Sequence, residues 1–415
     1  MPELARYGFD TALRKAVICF ALVPICIGVF TALLTLAAMV PNATILENSL
    51  DRPDVLLSRR ADNGRVIDAD TECIGLSVGM IEMPDEKPMV RAIRAQSVYG
   101  CDQYIDHLAG GQSFQPREYA RYWHGYTIIS RPVLSVLTYN DLRGILFACS
   151  VVLFGLLLWR IGTDFSAQTA LALAVPFLVL NAMGFWVVAT KAVSWFLIIG
   201  GAIILSRRVQ PPLIGFFVLG ALTAFFDFLT APALIFALPA LLFVLGVRAR
   251  GDVALFDQWR DVIWLGVFWA AGYAGLWACK ITLADAMLEG HVWADALSQA
   301  AFRLRGETHL VEAYWPGMAL YKNLAALKSL WGPIAIGLFV IGPLSTAARR
   351  GMLMQIVRHG RLPLALACVP LIFMELLSNH AQIHAAFTQL NFAPLFFIAA
   401  LILVGEGDRL LAKTP

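Results

Sequence analysis

The sequence predicts an all-α polytopic membrane protein with about ten transmembrane helices and two loop elaborations on its outer face. Three observations predict this class. The 415 residues are 59% hydrophobic and 15% charged, with a mean hydropathy of +0.69, far more apolar than a soluble chain of this length. The apolar residues fall into runs long enough to cross a bilayer, and basic residues cluster between alternate runs. Because no internal repeat or long linker divides the chain, residues 1–415 form one predicted membrane domain.

The apolar runs define the predicted crossings. A hydrocarbon core about 30 Å thick needs roughly 20 mostly apolar helical residues for each crossing. Ten runs come near this length: residues 16–40, 142–160, 166–183, 187–205, 212–227, 231–247, 262–281, 329–347, 362–378 and 385–405. Short polar connections join the third run to the fourth and the fifth to the sixth. Each of these two pairs is alternatively a re-entrant hairpin.

Lysine and arginine in the short connections set the predicted orientation. With ten crossings, all of them fall on the side of the two termini, which predicts that this side is cytoplasmic. They are Arg6, Arg14, Lys15, Arg160, Arg207, Arg208, Arg248, Arg250, Arg349, Arg350, Arg358, Arg361, Arg409 and Lys413. We therefore expect a multi-pass protein of the bacterial inner (plasma) membrane with cytoplasmic N- and C-termini. The net charge of +3 reflects these connections and does not indicate nucleic-acid binding.

The outer face then carries two polar segments, residues 41–141 and residues 282–328. The first holds 14 Asp and Glu against 10 Lys and Arg. A transporter built of tightly connected helices has little use for such an insertion, which favours chemistry or recognition at this face. The segment also contains Cys73 and Cys101, which are either a disulfide that closes the loop or two free thiols.

Aromatic residues near the end of the first segment repeat at helical spacing: Tyr119, Tyr122, Trp123 and Tyr126. This spacing predicts an interfacial helix whose rings lie at headgroup depth. The stripe is either an anchor for that helix or a platform for a sugar or an isoprenoid. Tyr122 and Trp123 are therefore candidate substrate-binding residues.

Carboxylates of the same segment are candidate catalytic bases. On a helix, Asp51 and Asp54 would share a face, as would Asp68 and Glu72, and Asp70 lies in the same string Asp-Ala-Asp-Thr-Glu. Any of the four could act as a general base at the membrane surface, or belong to a solvated acidic loop. The string from Asp68 to Asp70 also spells a D-x-D metal motif, although the outer face offers little nucleotide sugar. No cofactor is certain, and a divalent metal stays open.

Ionisable residues at the edges of the predicted spans form a second group of candidates. A charge at membrane depth is costly and usually faces a protein interior or a wet cavity. Asp227, Lys191 and Lys280 all map to the outer boundary. The lysines suit the phosphate of an anionic headgroup, or they snorkel to the interface. Asp227 is alternatively a cap or turn residue before Pro232.

Histidines at the outer face add further candidates. His380 and His384 lie four apart, but no Glu follows the first His as in the zinc-protease signature. Hydrogen bonding to a phosphate or a sugar hydroxyl is therefore favoured over metal binding. His124 lies in the aromatic stripe and Arg131 follows it, so both are candidate partners for an anionic ligand.

The order of these segments resembles the GT-C superfamily of membrane glycosyltransferases, in which a first span is followed by a long outer loop with carboxylates. Four strings are also similar to those of a poorly described family of bacterial polytopic membrane proteins. They are residues 122–126 with 131–132, residues 226–230, residues 272–280 and residues 379–384. This second likeness spans nearly the whole chain but brings little biochemistry.

The GT-C resemblance implies an inverting transfer of a sugar from a polyprenyl-phosphate donor to a glycan, lipid or protein acceptor on the outer face. It implies that a carboxylate of the first loop is the base, and we favour Asp70 and Glu72 slightly over Asp51 and Asp54. The residues implied to contact phosphate are Lys191, Lys280, Arg131 and His380, with Asp227 orienting an acceptor or a lysine. The acidic residues are not an adjacent pair as in several members of the superfamily.

Two other functions compete with this expectation. One is a flippase or transporter of a lipid-linked or anionic solute, with Asp227, Lys191, Lys280 and Glu375 along its route. The other is a membrane acyltransferase or polymerase of surface polysaccharide, in which His380 or His384 would be catalytic. The polar residues crowd one boundary of the membrane, which favours an enzyme.

Overall fold

Helices account for the regular structure of this chain. A computed structural model describes residues 9–49, 69–111, 116–206, 212–250, 255–288, 290–305, 314–328, 337–349, 351, 354, 356 and 359–412. No β-strand occurs in these ranges, where the one β-type contact is an isolated bridge between Ser97 and Arg117. The predicted all-α fold is confirmed for this part of the chain.

Five helical segments are long and apolar enough to cross a membrane. They are Ala12–Ala38 within α1 (Phe9–Ala38), α7 (Tyr139–Asp164), α12 (Pro232–Arg250), Trp259–Met287 within α13 (Leu255–Met287), and Ala385–Leu403. The last comprises α19 (Ala385–Thr388), a 3-10 turn (Gln389–Phe392) and α20 (Ala393–Leu403). These segments support a polytopic membrane protein.

Other predicted crossings form shorter helices. They are α8 (Ala167–Val179), α10 (Ala189–Leu205), α11 (Leu213–Phe226), a π-turn (Gly337–Ile341) leading into α16 (Gly342–Arg349), and α17 (Arg361–Leu376). At 1.5 Å per residue, the 13 residues of α8 reach about 20 Å, less than the hydrocarbon core. The figure of ten crossings therefore stays a prediction.

The remaining helices belong mostly to the two polar segments. They are α2 (Asn42–Ser49), α3 (Ala69–Ser77), α4 (Pro88–Arg94), α5 (Gly100–Leu108), α6 (Thr127–Leu134), α9 (Met183–Trp186), α14 (Val292–Leu304), α15 (Met318–Lys328), α18 (Ser378–Ile383) and a C-terminal π-turn (Asp408–Ala412). Helices α2 to α6 fall in the first polar segment, and α14 and α15 in the second.

Hydrogen bonds join segments that are distant in the chain at both ends of the bundle. At one end, Ser194 of α10 donates to Asp227, which follows α11, and His380 of α18 donates to Leu229, which precedes α12. At the opposite end, the Ser166 hydroxyl before α8 lies 2.5 Å from the Glu406 carboxylate after α20.

A disulfide between Cys73 and Cys101 joins α3 to α5 in the first polar segment. Of the two alternatives left open by the sequence, the structure contains the disulfide. In the chain-entropy account, a bridge that closes a loop of 28 residues stabilises the fold by about 3.6 kcal/mol. Tyr104 and Val98 are fully buried in the same apolar cluster, which also includes Leu142 of α7 and Ala192 of α10, so the segment packs against the bundle.

The first polar segment is fastened to α1 by two arginines. Buried Arg131 of α6 donates from Nε to the Ala37 carbonyl at 2.9 Å and from Nη2 to the Val40 carbonyl at 3.0 Å. Arg91 of α4 donates to the Ala38 carbonyl. Since the last carbonyls of a helix have no partner within it and carry partial negative charge, both guanidinium groups are well placed there.

The predicted interfacial helix over the aromatic stripe is wrong. Residues 119–126 form irregular turns, and α6 begins only at Thr127. Tyr119, Trp123 and Tyr126 are buried inside the protein, so their rings do not form an exposed belt. His124 has a φ of +57°, which helical backbone cannot contain, and this residue interrupts the helical spacing.

Helices α11 and α13 approach each other closely through two glycines. A Cβ added to Gly220 would lie 2.1 Å from the Trp269 carbonyl oxygen, and one added to Gly272 would lie 2.2 Å from the Phe217 carbonyl oxygen. Small residues permit such backbone contact between membrane helices, where van der Waals packing replaces the hydrophobic drive. Helix α13 also carries Lys280, so this contact positions that side chain.

We expect Gly272→Ala to destabilise the protein by about 1–3 kcal/mol, because its methyl group overlaps the backbone of α11. Gly275→Ala on the same helix is the matched control, since nothing lies within 4 Å of its added Cβ. Thermal unfolding in detergent measures the difference. Equal midpoints for the two variants would contradict the close helix contact.

Candidate functional site

The connection between α11 and α12, residues 227–231, forms a buried polar turn. Asp227 accepts from the Ser194 hydroxyl at 2.6 Å, the Thr230 amide at 3.0 Å and the Ala231 amide at 3.1 Å. These bonds close the turn that connects α11 to α12, so Asp227 fixes the conformation of this connection. Leu229 has a φ of +57°, a strained conformation for a leucine that the surrounding contacts hold in place.

The polar turn meets the histidines of the last predicted outer connection. His380 donates from Nε2 to the Leu229 carbonyl at 2.8 Å, and its ring centroid lies 4.7 Å from that of His384. The His384 ring lies 5.0 Å from that of Phe387, and the Lys191 Nζ lies 4.5 Å from the centroid of the same phenyl ring. The structure thus gathers four predicted binding residues around one turn.

Residues 117–126, which we call the aromatic turn, form the second part of the site, next to the polar turn. Phe228 of the polar turn packs into it, with ring centroids 5.1 Å from Tyr119, 5.4 Å from Tyr122 and 5.3 Å from His124. The Gly125 amide donates to the Phe225 carbonyl at 2.8 Å, which ties the aromatic turn to the end of α11. Tyr122 is half-buried, whereas its neighbours Trp123 and His124 are buried.

Lys280 is a fully buried cation beside the aromatic turn. Its Nζ donates to the Ile93 carbonyl at 2.7 Å and lies 6.0 Å from the centroid of the Trp123 ring. No carboxylate among the described residues forms an ion pair with it. A buried charge without a counter-ion is expensive, so this position is suited to an anionic ligand.

His124 is neutral because it is buried, and its two hydrogen bonds set its tautomer. Its Nε2 lies 2.9 Å from the Tyr119 carbonyl, which can only accept, so Nε2 carries the proton. Its Nδ1 then accepts from the Tyr126 hydroxyl at 3.1 Å. Burial lowers the pKa of His124 to about 3; the bond to Tyr119 opposes this, and the positive charges of Lys280 and Arg121 add to it.

Helix α3 carries two of the four candidate bases and lies against the aromatic turn. Gly75 faces Tyr126 and Thr190: a Cβ added there would lie 3.6 Å from the Tyr126 hydroxyl oxygen and 2.4 Å from Thr190 Cγ2. Glu72 lies three residues earlier on the same helical face and is buried. The backbone of Asp70 belongs to α3, but its side chain lies outside the described residues, as do Asp51 and Asp54 entirely.

Two other residues that were expected to contact a ligand or solute instead hydrogen-bond to helix ends. Arg131 is committed to the end of α1, as described above. Glu375 accepts from the Gly317 amide at 2.6 Å and the Leu320 amide at 3.3 Å, so it caps the start of α15. Among the described residues, no three His, Cys, Asp or Glu side chains are grouped so as to hold a metal ion.

Arginines around the aromatic turn were missed by the sequence analysis. The guanidinium carbons of Arg117 and Arg121 lie 4.2 Å and 4.3 Å from the centroid of the Tyr119 ring. Arg303 of α14 acts electrostatically on the same tyrosine. The alternation of arginine with tyrosine between residues 117 and 122 was a usable signal for the first two, whereas Arg303 comes from a distant segment.

Comparison with known proteins yields no relative: no family model, curated protein or solved structure matches this chain.

We expect stability to fall on acidification because of His124. Its pKa is about 3 in the folded protein and about 6.5 when unfolded, so the unfolded chain takes up the proton first. The stabilisation is complete above pH 6.5 and is lost as the pH falls toward 3. Between pH 7.5 and pH 5.0 the loss is about 2 kcal/mol.

Thermal unfolding at the two pH values measures this effect in the wild type and in His124→Gln, which removes the titrating group. The exposed His291, replaced as His291→Gln, is the control. An unchanged pH dependence in His124→Gln would refute the assignment.

Proposed function

We propose that this protein is a membrane glycosyltransferase that moves a sugar from a polyprenyl-phosphate donor to an acceptor at the outer face, with inversion. One observation carries the proposal. Lys280 is a fully buried lysine with no carboxylate ion pair among the described residues, and it lies beside the buried aromatic turn. A leaving phosphate is an anion that such a lysine would stabilise.

The disulfide supports the placement of this end of the bundle outside the cytoplasm. Disulfides persist in oxidising compartments and are rare in the cytosol. The Cys73–Cys101 bridge lies on α3 and α5, and α3 contacts the aromatic turn through Gly75. In a bacterium the proposed location is the inner membrane, with the site facing away from the cytoplasm and both termini toward it.

The proposed reaction is a single displacement. A carboxylate removes the proton of an acceptor hydroxyl, the oxygen attacks the anomeric carbon, and the bond from that carbon to the phosphate oxygen breaks. Polyprenyl phosphate leaves with the bonding electron pair. Lys280 stabilises the added charge on phosphate, and Lys191, His380 and His384 line the polar side of the same region.

The base is proposed to be one of Asp70, Glu72, Asp51 and Asp54. Helix α3 supports the first two, because Gly75 on this helix contacts Tyr126 and Thr190. Asp227 is proposed to position the polar turn, since its oxygens accept hydrogen bonds from Ser194 and from amides at the start of α12. It thereby holds the Leu229 carbonyl that accepts from His380.

We expect Lys280→Met to reduce sugar transfer by about 10²–10³-fold, since it removes a buried charge but keeps an apolar stem of similar length. Lys322→Met on α15 is the matched control in the second outer segment. The assay supplies a panel of radiolabelled polyprenyl-phosphate hexoses to protein in nanodiscs and measures released polyprenyl phosphate. Full activity in a folded Lys280→Met variant would reject the proposed site.

Replacing each candidate carboxylate singly identifies the base. Asp51→Asn, Asp54→Asn, Asp70→Asn and Glu72→Gln are compared in the same assay, and we expect one of them to lose at least 100-fold while the other three keep most activity. Thermal unfolding of each variant excludes a folding defect. Four active variants would eliminate a base in the first loop.

A further inference from the structure

We infer that Arg121, Arg303 and Tyr122 form an oxyanion subsite that takes the carboxylate or phosphate group of a hydrophilic glycan. The inference goes beyond the transfer reaction proposed above and does not depend on it. It concerns the side of the aromatic turn that faces α14 in the second outer segment.

Arg121 supplies the first unsatisfied donors. Its side chain is 3% exposed, and Nη1 donates to the Asp295 carboxylate at 2.7 Å. Its Nε and Nη2 are buried and have no hydrogen-bond partner. A buried donor without a partner is destabilising, and more so when it belongs to a charged group. A ligand that accepts from these two nitrogens would recover this free energy.

Arg303 supplies a third donor without a partner. It lies on the face of α14 that also carries Asp295 and Gln299, because residues four apart share a helical face. Its Nη1 donates to the Gln299 carbonyl at 3.3 Å and to the Gln299 side-chain oxygen at 3.2 Å, whereas its buried Nε has no partner. The same helix face therefore holds the partner of Arg121 at one end and an unsatisfied guanidinium nitrogen two turns away.

Arg121 contacts α14 through Asp295, and Arg303 lies two turns further along the same face of that helix. The charges of both arginines also act on one tyrosine. Burial raises the pKa of Tyr119, while the positive charges of Arg121, Arg117 and Arg303 oppose that rise. The guanidinium group of Arg121 also lies over Tyr122, with its central carbon 5.5 Å from the ring centroid.

The charge around Tyr119 is unbalanced. Arg117, Arg121 and Arg303 contribute three positive charges, and Asp295 is the one carboxylate that pairs with any of them among the described residues. Planar guanidinium groups bind carboxylate and phosphate oxygens with paired hydrogen bonds, which a point charge such as lysine cannot match. The arginine chemistry therefore favours an oxyanion over a neutral sugar.

The surroundings favour a hydrophilic ligand over a lipid headgroup. The Asp295 side chain is 44% exposed, Arg305 at the end of α14 is exposed, and Tyr122 is half-buried. The rings of Tyr119 and Tyr122 stand edge to face at 5.6 Å and offer an aromatic surface beside the donors. An acidic sugar fits both features, because it has an apolar ring face and an anionic group.

Ligand binding without any donor tests this inference separately from transfer. Protein in a non-ionic detergent is titrated with glucuronate, with inorganic phosphate and with glucose, and binding is followed by isothermal calorimetry. We expect both anions to bind and glucose to bind at least 10-fold more weakly. Arg303→Gln and Arg121→Gln should each weaken anion binding at least 10-fold.

The neighbouring exposed Arg305, replaced as Arg305→Gln, is the matched control and should bind as the wild type does. Tighter binding of glucuronate than of phosphate would assign the subsite to an acidic sugar, and the reverse to a phosphorylated glycan. If Arg121→Gln fails to fold, Arg303→Gln decides the matter. Anion binding that is absent from the wild type, equal to that of glucose, or unchanged in Arg303→Gln would overturn the inference.

Discussion

The contact on which the rest of this structure depends is the one between two guanidinium groups and the C-terminal end of the first helix. Arg131 and Arg91 donate to the last carbonyls of α1, and Arg131 also donates to Asn42 at 2.6 Å. The Asn42 side chain in turn donates to the Met80 carbonyl at 3.0 Å. These bonds hold helices α2, α4 and α6 around one helix end. Because α6 follows the aromatic turn directly, they also fix where that turn meets the bundle.

Burial of polar groups at one end of an apolar bundle is the second organising constraint. Asp227, His124 and Lys280 are each removed from water, and each has hydrogen bonds that hold it in one orientation. The described hydrogen bonds of His124 and Asp227 use both ring nitrogens of the histidine and both carboxylate oxygens of the aspartate. Arg121 differs, because its Nε and Nη2 have no hydrogen-bond partner, and Lys280 differs because it has no carboxylate ion pair among the described residues.

Individual residues show which features could be predicted from sequence pattern and which could not. The helical class follows from hydropathy, because a bilayer demands long apolar runs. The placement of Lys191, Asp227, Lys280, His380 and His384 at one membrane boundary stays a prediction from charge, since a bilayer expels ionisable groups from its centre. The aromatic stripe led to a wrong prediction of a helix. The spacing of Tyr119, Tyr122, Trp123 and Tyr126 is helical, but the backbone of residues 119–126 is not. Spacing reports which residues would share a face if a helix formed. It cannot report that His124 adopts a left-handed conformation with two internal hydrogen bonds.

By itself, the sequence determined that this chain is an α-helical membrane protein with polar elaborations between its apolar runs, because these properties depend on local composition and its periodicity. It also named Cys73 and Cys101 as the pair in the first loop. Only the tertiary structure decided that the cysteines are joined, that Arg131 caps α1, and that Arg121 pairs with Asp295 across 174 residues of sequence. The physical reason is that partners for buried charges are supplied by packing between segments distant in the chain, and neither hydropathy nor spacing encodes such pairings.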